Sequence, residues 1–118
     1  MKDNLIIATT FQFSLDLIEY VDVLEREKKY ILAKQILRSG TSTGAYSREA
    51  QNPESRADFI HKFKIAAKES EELEYWLLLC QQSKSYPSPS SKSLTDLTII
   101  MRILSKIIAT SKNIKTKI

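Results

Sequence analysis

Phe59-Ile-His-Lys-Phe63-Lys-Ile-Ala66-Ala-Lys-Glu-Ser70-Glu-Glu-Leu73-Glu-Tyr-Trp-Leu77-Leu-Leu-Cys80 is the stretch on which the fold turns. Phe59, Phe63, Ala66, Ser70, Leu73, Leu77 and Cys80 recur at spacings that alternate between four and three residues. Such a line of apolar and small residues, sustained for three heptads, is what a helix shows when it is buried along one seam against nearly antiparallel neighbours. Just upstream, Asn52-Pro53-Glu54-Ser55 supplies a capping side chain, a proline suited to a first helical position and a carboxylate for the positive dipole end. The reading is one helix over residues 53–84. Tyr86-Pro87-Ser88-Pro89-Ser90-Ser91 then breaks the pattern and reads as a loop.

Beyond that loop a helix is expected over residues 92–113, opened by a short capping box of Ser93 and Asp96. Leu94, Leu97, Met101, Leu104 and Ile108 form its seam, and Ile100, Ile103, Ile107 and Ile114 form a second row beside it. A surface helix of a small bundle needs one apolar stripe. The second row therefore predicts that another copy of the chain covers Ile100, Ile103 and Ile107, with Trp76 as a further interface anchor.

Toward the N-terminus, Leu17, Val21 and Leu24, flanked by Phe11, Leu15 and Ile18, make an amphipathic helix over residues 10–25. Glu25-Arg26-Glu27-Lys28-Lys29 contains no glycine or proline, so periodicity alone leaves open whether the helix continues through it. The period resumes from Tyr30 through Leu32, Ile36, Leu37 and Ala45, giving a helix over residues 29–51. Ser39-Gly40-Thr41-Ser42-Thr43-Gly44 has low helix propensity. Gly40 and Gly44 nevertheless share one helical face, where small residues admit a neighbouring helix closely. The expected architecture is all-α, an antiparallel up-down four-helix bundle in one domain spanning residues 1–118.

Composition agrees. The 118 residues include two glycines and three prolines, too few for the turns of an all-β or βαβ fold. Cys80 alone excludes a disulfide framework and a cysteine zinc site, and His61 alone argues against histidine-rich metal sites; no metal or cofactor is expected. No apolar run approaches a membrane span and no signal pattern opens the chain, so a cytoplasmic protein is expected.

Charge is distributed unevenly. Residues 1–83 carry 11 basic and 13 acidic side chains; residues 84–118 carry seven basic ones against Asp96 alone. Such polarity attracts phosphate backbones or an acidic partner, and also suits a solvated lysine-rich terminus. The candidate nucleic-acid contacts are Lys92, Arg102, Lys106, Lys112, Lys115 and Lys117, with Arg56, Lys62 and Lys64 as a second set.

Catalytic chemistry finds no support in the motifs. Gly40 to Gly44 matches neither the phosphate loop nor the dinucleotide fingerprint. Glu69, Glu71, Glu72 and Glu74 lack the Glu-x-x-His partners of a bundle di-metal site. Glu69 and Glu72 instead interrupt the row Ile65, Trp76, Leu79, which predicts a structural ion-pair network with Arg38 and Arg48. Cys80, on the seam, reads as a small buried hydrophobe. The protein is not expected to be an enzyme.

Gln35-Ile-Leu-Arg38-Ser-Gly40-Thr-Ser42-Thr-Gly44-Ala45-Tyr-Ser-Arg48-Glu49-Ala50 and Lys68-Glu69-Ser70-Glu71-Glu72-Leu73-Glu74-Tyr75-Trp76-Leu77, preceded by Phe59-Ile60, together resemble the two signatures of a family of small four-helix-bundle proteins. That family includes proteins encoded in intervening sequences of bacterial large-subunit rRNA genes and accessory variability determinants of diversity-generating retroelements. The chain departs from the family pattern at Tyr46-Ser47, where an asparagine and then a tyrosine or isoleucine are usual. The resemblance implies a short connection near residues 25–29, a homopentameric barrel and no catalytic residues. For the accessory proteins it implies a basic surface that binds nucleic acid and a reverse transcriptase. The leading expectation is thus a non-enzymatic oligomer that binds RNA or DNA and assists a retroelement reverse transcriptase. The alternative is a protein–protein assembly module of the rRNA intervening-sequence group without direct nucleic-acid binding.

Overall fold

The structure, a computed structural model, describes the backbone of residues 2–117 and the side chains of residues 5–112. Four helices follow in order: α1 (Lys2–Arg26), α2 (Tyr30–Glu49), α3 (Arg56–Gln82) and α4 (Ser91–Lys117). The backbones approach closely between α1 and α2, α2 and α3, α3 and α4, and α4 and α1, but not across the diagonals α1/α3 and α2/α4. Short connections and this cyclic neighbour pattern define an antiparallel four-helix bundle, 53 Å long and 22 Å across.

The α3 seam is the core line the spacing predicts. Phe63, Ala66, Ser70, Leu73, Leu77 and Cys80 are buried, and half-buried Phe59 sets its ring edge-on to Phe63 with centroids 4.9 Å apart. From α1 come Ile6, Phe13, Leu17, Val21 and Leu24. Helix α1 begins eight residues earlier than expected, because Ile6 and Thr10 continue the buried line and the Thr10 hydroxyl is satisfied by donating to Ile6 O, 2.7 Å away.

Helix α2 contributes small residues: Ala33, Ser39, Gly40, Thr43, Ser47 and Ala50 are buried alongside Ile36. A buried hydroxyl is costly unless bonded. Here Ser39, Thr43 and Ser47 each donate to the carbonyl four residues back, at 2.7, 2.9 and 2.8 Å. Those bonds let the segment of low propensity remain helical through the middle of the bundle.

The connections answer one open reading and correct two. Between α1 and α2 the helix does end, although no glycine marks it. Lys28 adopts φ 63°, Lys28 N–H donates to Glu25 O and Lys29 N–H to Leu24 O, the paired bonds of a Schellman cap. Helix α3 is capped by Ser55, whose hydroxyl accepts from Asp58 N–H at 3.0 Å, and not by Asn52; Pro53 lies before the helix rather than at its first position. Helix α4 is capped by Ser90, whose hydroxyl accepts from Ser93 N–H at 3.0 Å, so Ser93 sits inside the first turn and Asp96 is free to pair with Lys92.

In α4 the core line runs through Leu97, Ile100 and Leu104. Ile100, predicted at an interface with another copy, is fully buried within its own protomer. The two apolar rows straddle one core line, with Leu94, Met101 and Ile108 to one side and Ile103 and Ile107 to the other, all half-buried against the same core. Ile114 lies outside the described side chains.

Candidate nucleic-acid interface and apolar faces

Two of the predicted cations, Lys92 and Lys62, join helices through carboxylates. Lys92 Nζ lies 2.7 Å from Asp96 Oδ2 and 3.2 Å from Asp16 Oδ2, joining α4 to α1. Its hydrogen bonds to Asp96 and then Asp16 raise its pKa, so its charge is engaged within the protomer. Lys62 lies 3.6 Å from Glu49 and 3.7 Å from Asp58, and this pairing links α3 to α2.

Lys64 and Lys112 come together. With His61, Ala57 and Ile60 they line a shallow groove of about 250 Å³ between the start of α3 and the end of α4. Further along the same helix pair, Arg102 lines a groove with Glu74, Thr98, Met101 and Ser105. Lys106 and Arg56 are exposed. Lys115 and Lys117 lie outside the described side chains. The α3/α4 face thus gathers Lys64, Lys112, Arg102 and the imidazole of His61, whereas Lys92 and Lys62 serve the bundle's own junctions.

On the α2/α3 side, Arg38 Nη1 donates to Glu69 Oε1 at 3.1 Å and Arg38 Nη2 donates to Glu72 Oε2. Trp76 Nε1 donates to the same Glu72 oxygen at 3.1 Å. These bonds, that from Trp76 first and that from Arg38 second, hold the Glu72 carboxyl below the usual range. The network stands at the surface: the side chains of Arg38, Glu69 and Glu72 are 46%, 20% and 37% exposed. Arg48 is not in it. Ten residues beyond Arg38, it is turned about 80° around the helix and lines a groove between α1 and α2 with Phe11, Thr41, Gly44 and Ala45.

Apolar surface lies where periodicity did not place it. Phe11, Leu15 and Ile18 on α1 are exposed, as are Tyr75, Leu78 and Leu79 on α3. The spacing of Phe11, Leu15 and Ile18 runs beside the core line of Thr10, Phe13 and Leu17, and a wheel drawn on that line would have shown it. Trp76 and Ile103, two predicted interface residues, are half-buried against the protomer's own core.

A family model described as 23S rRNA-intervening sequence protein matches residues 2–108. The chain belongs to this family. Among solved structures it is similar to a protein of unknown function from the S23 ribosomal protein family of Bacteroides thetaiotaomicron, with 40% identity. The two superpose with a TM-score of 0.83, over 92% of this chain and 99% of that one. No curated protein matches it.

For this 23S rRNA-intervening sequence family member, the described residues hold no group of three or more His, Cys, Asp or Glu side chains placed to share a metal ion. No described helix is long and apolar enough to cross a membrane. Cys80 is buried, and burial pushes its thiol pKa up, which disfavours the nucleophilic thiolate.

Proposed function

We propose that this chain is a non-catalytic scaffold that self-associates and holds RNA or DNA through the α3/α4 face. The observation that carries the reading is the convergence of Lys64, Lys112 and His61 in one groove, with Arg102 on the same pair of helices. Cations gathered on one face neutralise neighbouring phosphates, and the release of counterions drives binding. Three or four such contacts give a salt slope of roughly 2–4.

Fluorescence anisotropy of a structured RNA and of an RNA–DNA hybrid, titrated at low and high salt, tests it. Saturable binding that weakens steeply with salt is expected, and the double reversal Lys106→Glu, Lys112→Glu should abolish it. Lys92→Ala, which removes a cation already held by two carboxylates, should leave affinity within about twofold. Absent binding at low salt, or binding indifferent to the double reversal, overturns the assignment.

A second reading is favoured by the exposed apolar residues of α1 and α3: an assembly module whose partners are proteins. Sedimentation of the full chain tests the self-association that both readings share, and the ring size implied by the family resemblance is five. The narrower role, assistance to a retroelement reverse transcriptase, rests on that resemblance. It expects a reverse transcriptase gene beside this one, whereas a position inside an rRNA gene favours the assembly module.

A further inference from the structure

We infer that His61 holds nucleic-acid phosphate in its protonated form, so that the α3/α4 groove grips RNA or DNA more tightly as pH falls through neutrality. The inference rests on the nucleic-acid reading proposed above and names the regulation of that same groove.

The geometry comes first. Ala57, Ile60, His61 and Lys64 fall at i, i+3, i+4 and i+7, so they share one face of α3, and Lys112 stands across the groove on α4. Lys68, four residues beyond Lys64, continues that face and is exposed. His61 is itself exposed, and neither ring nitrogen is engaged among the described residues. A neutral imidazole offers one donor nitrogen and one acceptor, whereas the imidazolium offers two donors and a positive charge. The anionic phosphate oxygen only accepts, so the charged ring makes the stronger, charge-assisted bond.

The charges around His61 leave that role to an incoming anion. On α3 its neighbour Asp58 is committed: one carboxylate oxygen lies 3.7 Å from Lys62 Nζ and the other accepts from Glu54 N–H at 3.0 Å. From α2, Glu49 lies 3.6 Å from the same Lys62. Glu54 and Arg56, where the chain enters α3, carry one charge of each sign. Helix α4 has a single carboxylate, Asp96, 16 residues before Lys112 and so about 24 Å along the helix. Among the described residues no carboxylate lines the groove, which presents Lys64 and Lys112 beside the imidazole. A phosphate seated there is the anion that draws a proton from solvent onto the ring. By linkage, the charged ring then holds the phosphate more tightly.

His61 is the one histidine in the chain, and histidine is the side chain that ordinarily changes charge between pH 5 and 8. Lysine and arginine contacts stay charged over that range, and a phosphodiester keeps its single charge. Each chain takes up at most one proton on binding, so affinity changes at most about tenfold per pH unit.

The test is fluorescence anisotropy of a structured RNA with hydroxyl ends, titrated with the full chain at constant ionic strength from about pH 5.5 to about pH 8. The wild type should bind about three- to tenfold more tightly at the acid end. Its salt slope there should be steeper by about 0.7–0.9, the mark of one more phosphate contact. His61→Gln, a change at an exposed site, should bind with one affinity and one slope across the range, within about twofold of the wild type at the alkaline end. His61→Lys, which keeps a cation in place, should bind at both ends as the wild type does in acid. In an NMR titration the single imidazole should release its proton at higher pH with RNA bound than without it. Wild-type affinity that is flat with pH, a pH dependence that survives in His61→Gln, or loss of binding by that variant at the alkaline end overturns the proton-linked contact while nucleic-acid binding by the groove stands. A wild type that binds no RNA at low salt at either end overturns the nucleic-acid reading together with it.

Discussion

The backbone of Gly40 lies against the side chain of Leu17: a methyl group added at Gly40 would overlap Leu17 Cδ1, with Leu73 Cδ2 3.6 Å away. Leu17 is fully buried, so it can yield only by changing rotamer in a filled core. That costs about 1–3 kcal/mol, against the gain of about 1 kcal/mol that alanine brings over glycine inside a helix. Gly40→Ala should therefore lose about 1 kcal/mol net. At Gly44 the added methyl meets Thr10 Cβ at 3.3 Å, a misfit of a few tenths of an ångström, so propensity and crowding nearly cancel. Gly44→Ala should stay within about 0.5 kcal/mol of the wild type. Urea unfolding of both variants checks the pair; equal stabilities would mean that Leu17 moves aside freely.

Lys28 holds the left-handed conformation that closes α1, with φ 63°. A side chain there costs roughly 1–2 kcal/mol, while glycine gives back about 0.5–1 kcal/mol through its freer unfolded chain. Lys28→Gly should thus stabilise the bundle by about 0.5–1 kcal/mol, and Lys28→Val should destabilise it. Thermal melts of the two variants should move in opposite directions. A melt of Lys28→Gly below that of the wild type would show that the lysine makes a compensating contact.

These two positions also show what the sequence discloses and what it conceals. The α3 seam was legible because every buried residue from Phe63 to Cys80 falls on one heptad line. The end of α1 was not, because the signal for a Schellman cap is a glycine and this chain places Lys28 there. The start of α3 was displaced for a related reason: Asn52-Pro53 has the composition of a cap and first residue, yet Ser55 is the side chain three residues before a donor it can reach, Asp58 N–H. On the α2/α3 side, the Arg38 pairing with Glu69 and Glu72 could be read from rows of residues on two helices. The second carboxylate on Lys92 could not, since Asp16 is 76 residues away and only the fold brings it beside the Lys92–Asp96 pair. The exposed α1 stripe was hidden by its resemblance to a flank of the core.

Arg38 yields a prediction with a defined pH window. A covered pair would lose about 3 kcal/mol or more when one partner is removed; the partly exposed side chains seen here reduce the expected loss for Arg38→Ala to about 1 kcal/mol. The Glu72 carboxyl has a lowered folded-state pKa. Its contribution is complete above the unfolded value, near 4.3, and is lost as pH falls through the depressed folded value. The Arg38 shift is upward and plays no part in the acid range. The stability gap between wild type and Arg38→Ala should therefore be constant from neutral pH to about pH 5 and close in more acid solution. Trp76→Phe, which removes the first of the two donors, should raise the Glu72 pKa measured by NMR titration. A gap that persists unchanged in strong acid would place the value of Arg38 in packing of its stem rather than in its charge.

The loop between α3 and α4 is fastened by Tyr20, whose hydroxyl donates to Pro87 O at 2.6 Å, and by Lys29, whose ammonium stands 4.9 Å from the Tyr86 ring centroid. Burial, and then the neighbouring Cys80, push the Tyr20 pKa far above that of a free phenol, so the donor keeps its proton throughout the working pH range. Tyr20→Phe removes one hydrogen bond and leaves the Pro87 carbonyl to water, a loss of about 1 kcal/mol. Lys29→Met removes the cation from the ring and should cost about 0.5–1 kcal/mol. Because both contacts order the same segment, the losses should not add: once one is gone, the other holds a loop that is already loosened. Hydrogen exchange gives the readout, with amides of residues 83–90 exchanging faster in each variant and those of the α3 seam changing little. Protection in 83–90 unaltered by Tyr20→Phe would show that the two prolines and the Ser90 cap hold the loop without the tyrosine.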